Sequence, residues 1–119
     1  MKDKAFLLFL LGMLSCGILS AQTGNVKGTI IDAQTREGIP FANVVLVHAS
    51  DSTQVMGMAS SDSGRFEFKR VPKGRYFIQA AVLAYHRNNS MVFEISGQNL
   101  SVDVGIIPMT STSVHLDEV

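Results

Sequence analysis

Cysteine is almost missing from this chain of 119 residues: Cys16 is the only one. A lone thiol excludes a disulfide framework within the chain and a cysteine-built metal site. There is no tryptophan, and only three prolines punctuate the chain. Neither sign of charge dominates, with ten Lys or Arg against ten Asp or Glu. No basic excess is available to condense on nucleic acid or on an anionic membrane face. Helical periodicity is also lacking after residue 21.

What is present begins with an export signal. Lys2 and Lys4 make a basic start, Ala5 to Leu14 is apolar, and Leu19-Ser20-Ala21 ends on a small residue before Gln22. This order predicts a signal peptide over residues 1–21, cut after Ala21. A membrane anchor is the competing reading, but Ser15, Gly17 and Ser20 interrupt a run that is already short. Cys16, preceded by Met13-Leu14-Ser15, would suit lipidation; the apolar run that continues through Ile18 and Leu19 favours the later cut. Cleaved there, the chain has no thiol, and eight Lys or Arg face nine Asp or Glu. About a hundred residues make one domain that buries roughly 60–70% of its unfolded surface without disulfides.

The stretch from Ser61 to Tyr85 organises the rest. Ser61-Asp62-Ser63-Gly64 reads as a turn closed by a glycine at positive φ. Arg65-Phe66-Glu67-Phe68-Lys69 alternates polar and apolar, as a half-buried strand does, with Phe66 and Phe68 inward. Val71-Pro72-Lys73-Gly74 is a second turn, with proline presetting φ. Gly74 to Leu83 follows as a strand with Tyr76, Ile78, Ala80 and Val82 on one face. The succession reads as a β-meander.

Strands are also expected at Val26 to Ala33, Phe41 to Ala49, Val55 to Ser60, Met91 to Ile95, and in the run where Leu100, Val102, Val104 and Ile106 alternate with Ser101, Asp103, Gly105 and Ile107. Val26, Gly28 and Ile30 should share a face, and Ala42, Val44 and Leu46 should meet the core. Gly57 and Ala59 point to a close approach of the facing sheet. The expectation is an all-β, seven-stranded antiparallel Greek-key β-sandwich over residues 22–108. Residues 109–119, with Thr110-Ser111-Thr112-Ser113, read as a linker or tail.

Asp62-x-Gly64-x-Phe66, Val71-Pro72-x-Gly74-x-Tyr76 and Ala84-Tyr85, with Gly28 to Asp32 and Gly38 to Val44 upstream, resemble the carboxypeptidase-regulatory-like domain, a transthyretin-like β-sandwich. The likeness covers nearly all of the chain after residue 21. Ala84 stands where the family usually has glycine, and alanine resists positive φ.

Little in the chain points to catalysis. His115-Leu116-Asp117-Glu118 has the His-x-x-Glu spacing of zinc carboxypeptidases, but a zinc site needs a third ligand and a base. The pair reads as a solvated terminus. His48 and His86 lie on separate elements with no cluster around them. Asp32, Asp51 and Asp62 sit at turns, where Asp caps backbone amides. Asp51-Ser52-Thr53 looks like an acceptor for bacterial periplasmic O-glycosylation, but its turn-like composition favours an ordinary polar bend. No serine has a nucleophile motif, and no loop supplies the oxygen ligands of a calcium site. No catalytic, cofactor-binding or metal residue is therefore assigned, and no cofactor is expected.

The resemblance implies two settings: a module behind a metallocarboxypeptidase domain, or the N-terminal extension of a TonB-dependent outer-membrane receptor. In the second, the order is signal peptide, sandwich, linker ending in Leu-x-Glu-Val, plug and barrel. Here Leu116-Asp117-Glu118-Val119 follows the sandwich. The expected function is thus a non-catalytic periplasmic module whose partner is a plug, a barrel or another envelope protein. The alternative is a freestanding secreted module that binds a protein or glycan through a sheet edge or loop.

Overall fold

A computed structural model describes residues 22–112. Its elements are β1 (Thr23–Asp32), β2 (Asn43–His48), β3 (Gln54–Ala59), β4 (Arg65–Pro72), β5 (Gly74–Ala81), β6 (Asn88–Asn89), β7 (Phe93–Ile95) and β8 (Ser101–Met109). They form two sheets. One has three strands in the order β4-β1-β8; the other runs β3-β2-β5-β6, with β7 also pairing β5. The all-β sandwich expected from alternation is the observed architecture. The strand expected at Met91 to Ile95 is shortened to β7, which pairs Gly74 to Tyr76. A further short strand, β6, not expected from the sequence, pairs Gln79 and Ala80, and Ser90 bridges the gap by giving its amide to the Ile78 carbonyl and receiving the Ile78 amide on its Oγ.

The core is built as the alternation requires. Val26 and Ile30 from β1, Val44 and Leu46 from β2, Phe66 and Phe68 from β4, and Tyr76, Ile78 and Ala80 from β5 are buried together. Tyr76 is fully buried, and its hydroxyl donates to the Pro72 carbonyl at 2.7 Å. That bond ties together the two sides of the Val71–Gly74 turn. Ser60, a buried polar residue, donates to the Ile39 carbonyl at 2.6 Å and accepts from the Ala42 amide at 2.8 Å. It fixes the loop that precedes β2.

Four expectations are corrected. The meander is not formed, because β4 lies in one sheet and β3 and β5 in the other. The Ser61–Gly64 turn has the expected chemistry: the Gly64 amide bonds the Ser61 carbonyl at 2.9 Å, and Gly64 sits at φ 82°. Turn residues specify local dihedrals, not which strand becomes a partner. Pairing is also not antiparallel throughout, since β1 and β8 run parallel from Asn25↔Ser101 to Asp32↔Met109.

The inward face of the last strand differs as well. Ile106 is 58% exposed, whereas Ile107 and Met109 are buried. Register shifts between Lys27 and Thr29, opposite Asp103 and Ile106, and Gly105 takes φ 76° there. Gly105 is the extra residue of a β-bulge, so the alternation slips by one. Finally, ordered pairing passes residue 108. Met109 is buried, His86 donates its amide to the Thr110 carbonyl, and Thr112 donates to the Ala84 carbonyl at 2.8 Å. Polar composition concealed this because the bonds are made by backbone. Residues 113–119 lie outside the described residues, as do residues 1–21 and the signal peptide expected there.

Candidate functional site

The titratable residues are dispersed. His48 ends β2 and stacks on Tyr76, with ring centroids 5.1 Å apart and planes 28° from parallel. His86 follows β5, at the end of that strand away from Tyr76. The two imidazoles therefore stand at opposite ends of one strand and cannot act together. Cys16, His115 and Glu118 lie outside the described residues. Among the described residues, no group of three or more His, Cys, Asp or Glu could hold a metal ion.

The turn aspartates cap backbone. Asp32 Oδ1 accepts the Gln34 and Thr35 amides at 2.8 and 3.0 Å, and Oδ2 accepts the Tyr85 hydroxyl at 2.7 Å. The Thr35 amide, then Tyr85 and the Gln34 amide, hold the Asp32 carboxyl below its ordinary value. The same contact with Asp32 raises the Tyr85 phenol. Asp51 accepts both the hydroxyl and the amide of Thr53, which lower its carboxyl. These carboxylates hold loops in shape.

Each sheet has two free edges, and a cleft runs between them on either side of the sandwich. The cleft between β6–β7 and β8 encloses about 440 Å³ and is flanked by exposed Met91, Val92 and Ile106. The cleft between β3 and β4 encloses about 560 Å³. Met58 and Phe66 form its apolar wall, and Arg65, Lys27, Glu67 and Asp103 bring charge to its rim. On the strand ladder Lys27 stands between Glu67 and Asp103, so its positive charge has a carboxylate on either side.

Three of the edges carry features that discourage pairing. Along β4 stand Arg65, Glu67, Lys69, Arg70 and Pro72. β8 has Asp103, the Gly105 bulge and Pro108, whose carbonyl accepts the Asn88 side-chain amide at 2.7 Å. The β6–β7 edge is interrupted between Asn89 and Phe93. β3, with the sequence Gln-Val-Met-Gly-Met-Ala, has no charged residue and no proline. Sequence reading missed this edge, though the uncharged run from Gln54 to Ser61 was a usable signal. The expected close approach at Gly57 does not occur: a Cβ there would meet nothing nearer than 3.8 Å.

Similar solved structures share the architecture. The Bacillus anthracis TIE protein superposes with a TM-score of 0.61 at 21% identity, covering 74% of this chain and 17% of that one. The major pilin subunit BcpA of Bacillus cereus gives 0.57 at 19%, covering 74% and 30%. The 5-hydroxyisourate hydrolase of Klebsiella pneumoniae gives 0.53 at 17%, covering 78% and 92%. The chain thus spans less than a third of either of the first two. At these identities the likeness is one of fold. No curated protein matches the chain by sequence. The model of the carboxypeptidase regulatory-like domain matches residues 25–106, and the motifs around Gly64, Pro72 and Tyr76 lie on the turns and strands just described. The chain belongs to the carboxypeptidase regulatory-like domain family.

Proposed function

We propose that this chain is a non-catalytic, periplasmic N-terminal module of a TonB-dependent outer-membrane receptor or a related outer-membrane β-barrel protein. The observation that carries the non-catalytic part is the use made of the titratable side chains. Asp32 and Asp51 cap loops, His48 stacks on Tyr76, and the histidines lie at opposite ends of β5. Among the described residues, no nucleophile, base and anion-stabilising group converge, as a hydrolytic site requires. The receptor setting rests on the family together with the succession of a signal-like segment, this sandwich and Leu116-Asp117-Glu118-Val119.

Cell fractionation tests the setting. An epitope inserted in the exposed Asp51–Thr53 bend should be found in the envelope, on a product that has lost residues 1–21. Chemical cross-linking should join it to a plug or barrel. A cytoplasmic, unprocessed product would overturn the proposal. A freestanding module for a protein or glycan partner is the second reading, favoured by the unprotected β3 edge. A processed envelope product with no barrel partner would select it.

A further inference from the structure

The β3 edge has unused pairing capacity. β3 bonds β2 on one side and ends the sheet on the other. In the β2 register Met56 stands opposite Leu46, Gly57 opposite Val45 and Met58 opposite Val44. Leu46 and Val44 point into the core, so Met56 and Met58 share that side and Gly57 faces out. One register shift, at the Val55 end, leaves Met56 to Ala59 in regular ladder. An added strand would complete the free backbone bonds and set alternate side chains over the 560 Å³ cleft lined by Met58 and Phe66.

The sequence around this edge is its own approximate mirror image. About Gly57, Met56 mirrors Met58, Val55 mirrors Ala59, and Thr53 mirrors Ser61. Two antiparallel copies related by a two-fold axis at Gly57 place each residue opposite its mirror partner. Methionine then meets methionine within the regular ladder, and Val55 meets Ala59 towards the strand ends, with the hydroxyls of Thr53 and Ser61 just beyond β3. Asp51 would face Ser63, and Asp62 would face Ser52, so no like charges oppose one another. Methionine adapts its shape to a new neighbour, which suits the core side of such a junction. A self-complementary patch closed by a two-fold axis is the isologous contact of a symmetric dimer. None of the other edges has this property; the β4 edge in particular would bring a dense row of charges to a second copy.

We propose that β3 is a self-pairing edge: a second copy of this chain docks antiparallel about Gly57 and joins the two larger sheets into one. The proposal requires only the sandwich and is independent of the receptor setting.

The test uses the full chain as the producing cell processes it. Sedimentation from about 1 to about 500 µM, which brackets a micromolar Kd, should show a concentration-dependent dimer. A Cβ at Gly57 would meet only ordinary contacts at 3.8 Å or more, so Gly57→Lys should keep the fold while opposing two ammonium groups at the axis. It should raise the dimer Kd at least about tenfold, equivalent to roughly 1.4 kcal/mol, and leave the melting temperature of the dilute protein unchanged. Gly57→Cys, made together with Cys16→Ser, should form a disulfide between copies. Opposed antiparallel residues have Cα atoms about 4.5–5.5 Å apart, within the span a disulfide bridges. Glu67→Cys on the β4 edge should not cross-link. A monomer at every concentration, a dimer unaffected by Gly57→Lys, or equal cross-linking from Glu67→Cys would overturn the proposal.

Discussion

The two sheets differ in how faithfully they keep the two-residue period of a strand. In the larger sheet the central strands stay in step: Val44 and Leu46 of β2, and Tyr76, Ile78 and Ala80 of β5, enter the shared core at every second position, while Val45 and Val47 of β2 are buried outside that cluster. In the smaller sheet the chain slips. β4 buries Phe66 and Phe68 and then Val71, while β8 turns Val102 and Val104 inward and then Ile107 and Met109. A left-handed residue sits at each slip, Arg70 at φ 58° and Gly105 at φ 76°. Alternation thus identifies a face only as far as the next bulge. The bulge absorbs one residue and passes the inward face to the opposite parity.

Deleting single residues should separate the sheets most sharply. Gln79 lies in β5, which is paired on both sides. Its removal would turn either the residues before it or those after it to the wrong face. A domain with a stability of about 5–15 kcal/mol does not survive that exchange, so no cooperative urea transition is expected. Removing Gly105 deletes only the extra residue of the bulge and leaves Val104 inward, Ile106 outward and Ile107 inward. That variant should keep its strand circular dichroism and a cooperative transition. The opposite pair of outcomes would mean that the slip in β8 is assigned wrongly.

Side-chain truncation probes the same contrast at smaller cost. Tyr76→Ala and Phe66→Ala should each lose about 3–5 kcal/mol, one in each sheet, because both side chains fill the shared core. Across the bulge the neighbours should diverge: Ile107→Ala is expected to cost about 2–5 kcal/mol, and Ile106→Ala less than about 1 kcal/mol. Urea midpoints at constant m-value measure these differences. Equal losses at 106 and 107 would place both side chains in the core and remove the bulge from β8.

The sequence was legible where neighbouring residues suffice to set the structure. Alternation, β-prone runs and turn residues together located the main strands, and alternation placed Phe66, Tyr76 and Ile78 inward correctly. The Ser61–Gly64 turn was readable because Gly64 supplies a positive φ without a steric penalty. Partner choice was not readable. Nothing within Arg65 to Lys69 tells that strand to bond β1 rather than β3 or β5, since pairing is decided by how all the apolar faces close on one core. The parallel β1–β8 pair is concealed for the same reason. Edges cannot be recognised until the strand order is known, so the uncharged β3 acquired meaning only with the topology. The capping roles of Asp32 and Asp51 were easier to anticipate, because each accepts an amide only two or three residues further along.

Backbone conformation offers a gain in stability rather than a loss. Ala84 follows Leu83 in the turn after β5 and takes φ 74°, the region that favours glycine. The Tyr85 amide bonds the Val82 carbonyl at 3.1 Å, and the Ala84 carbonyl accepts Thr112. These contacts hold the alanine there against a cost of about 1–2 kcal/mol. Ala84→Gly removes that cost but frees the unfolded chain by roughly 0.4–1 kcal/mol. The net effect should be stabilisation by about 1 kcal/mol or less. Gly105→Ala, in the other sheet, should shift stability in the opposite direction by about 1 kcal/mol; its site is open, so only backbone conformation contributes. If both substitutions moved the urea midpoint the same way, left-handed strain would not be the governing term.

The smallest expected effect joins the sheets. Asp32 ends β1 in the smaller sheet, and Tyr85 follows β5 from the larger one; their 2.7 Å bond links the loops of both. The Asp32 carboxyl lies below its ordinary 3.8 in the folded protein, chiefly through the Thr35 amide, then Tyr85 and the Gln34 amide. A depressed folded value means that the ionised form is favoured by folding. Its contribution is therefore present above pH 3.8 and is lost as pH falls through the lower folded value. The Tyr85 phenol has the opposite sign: its folded value is raised above 10.0 by Asp32, so its contribution is complete below pH 10 and fades as pH rises through the folded value. Both residues are only half-buried, so solvent screening keeps the effect small. Asp32→Asn should consequently melt slightly below the parent at pH 7, with the gap closing in acid. Tyr85→Phe should show a gap at pH 7 that narrows at both extremes. Melting curves between pH 2 and 11 measure this. A Tyr85→Phe gap independent of pH would mean that the ring packs between the loops without a working hydrogen bond to Asp32.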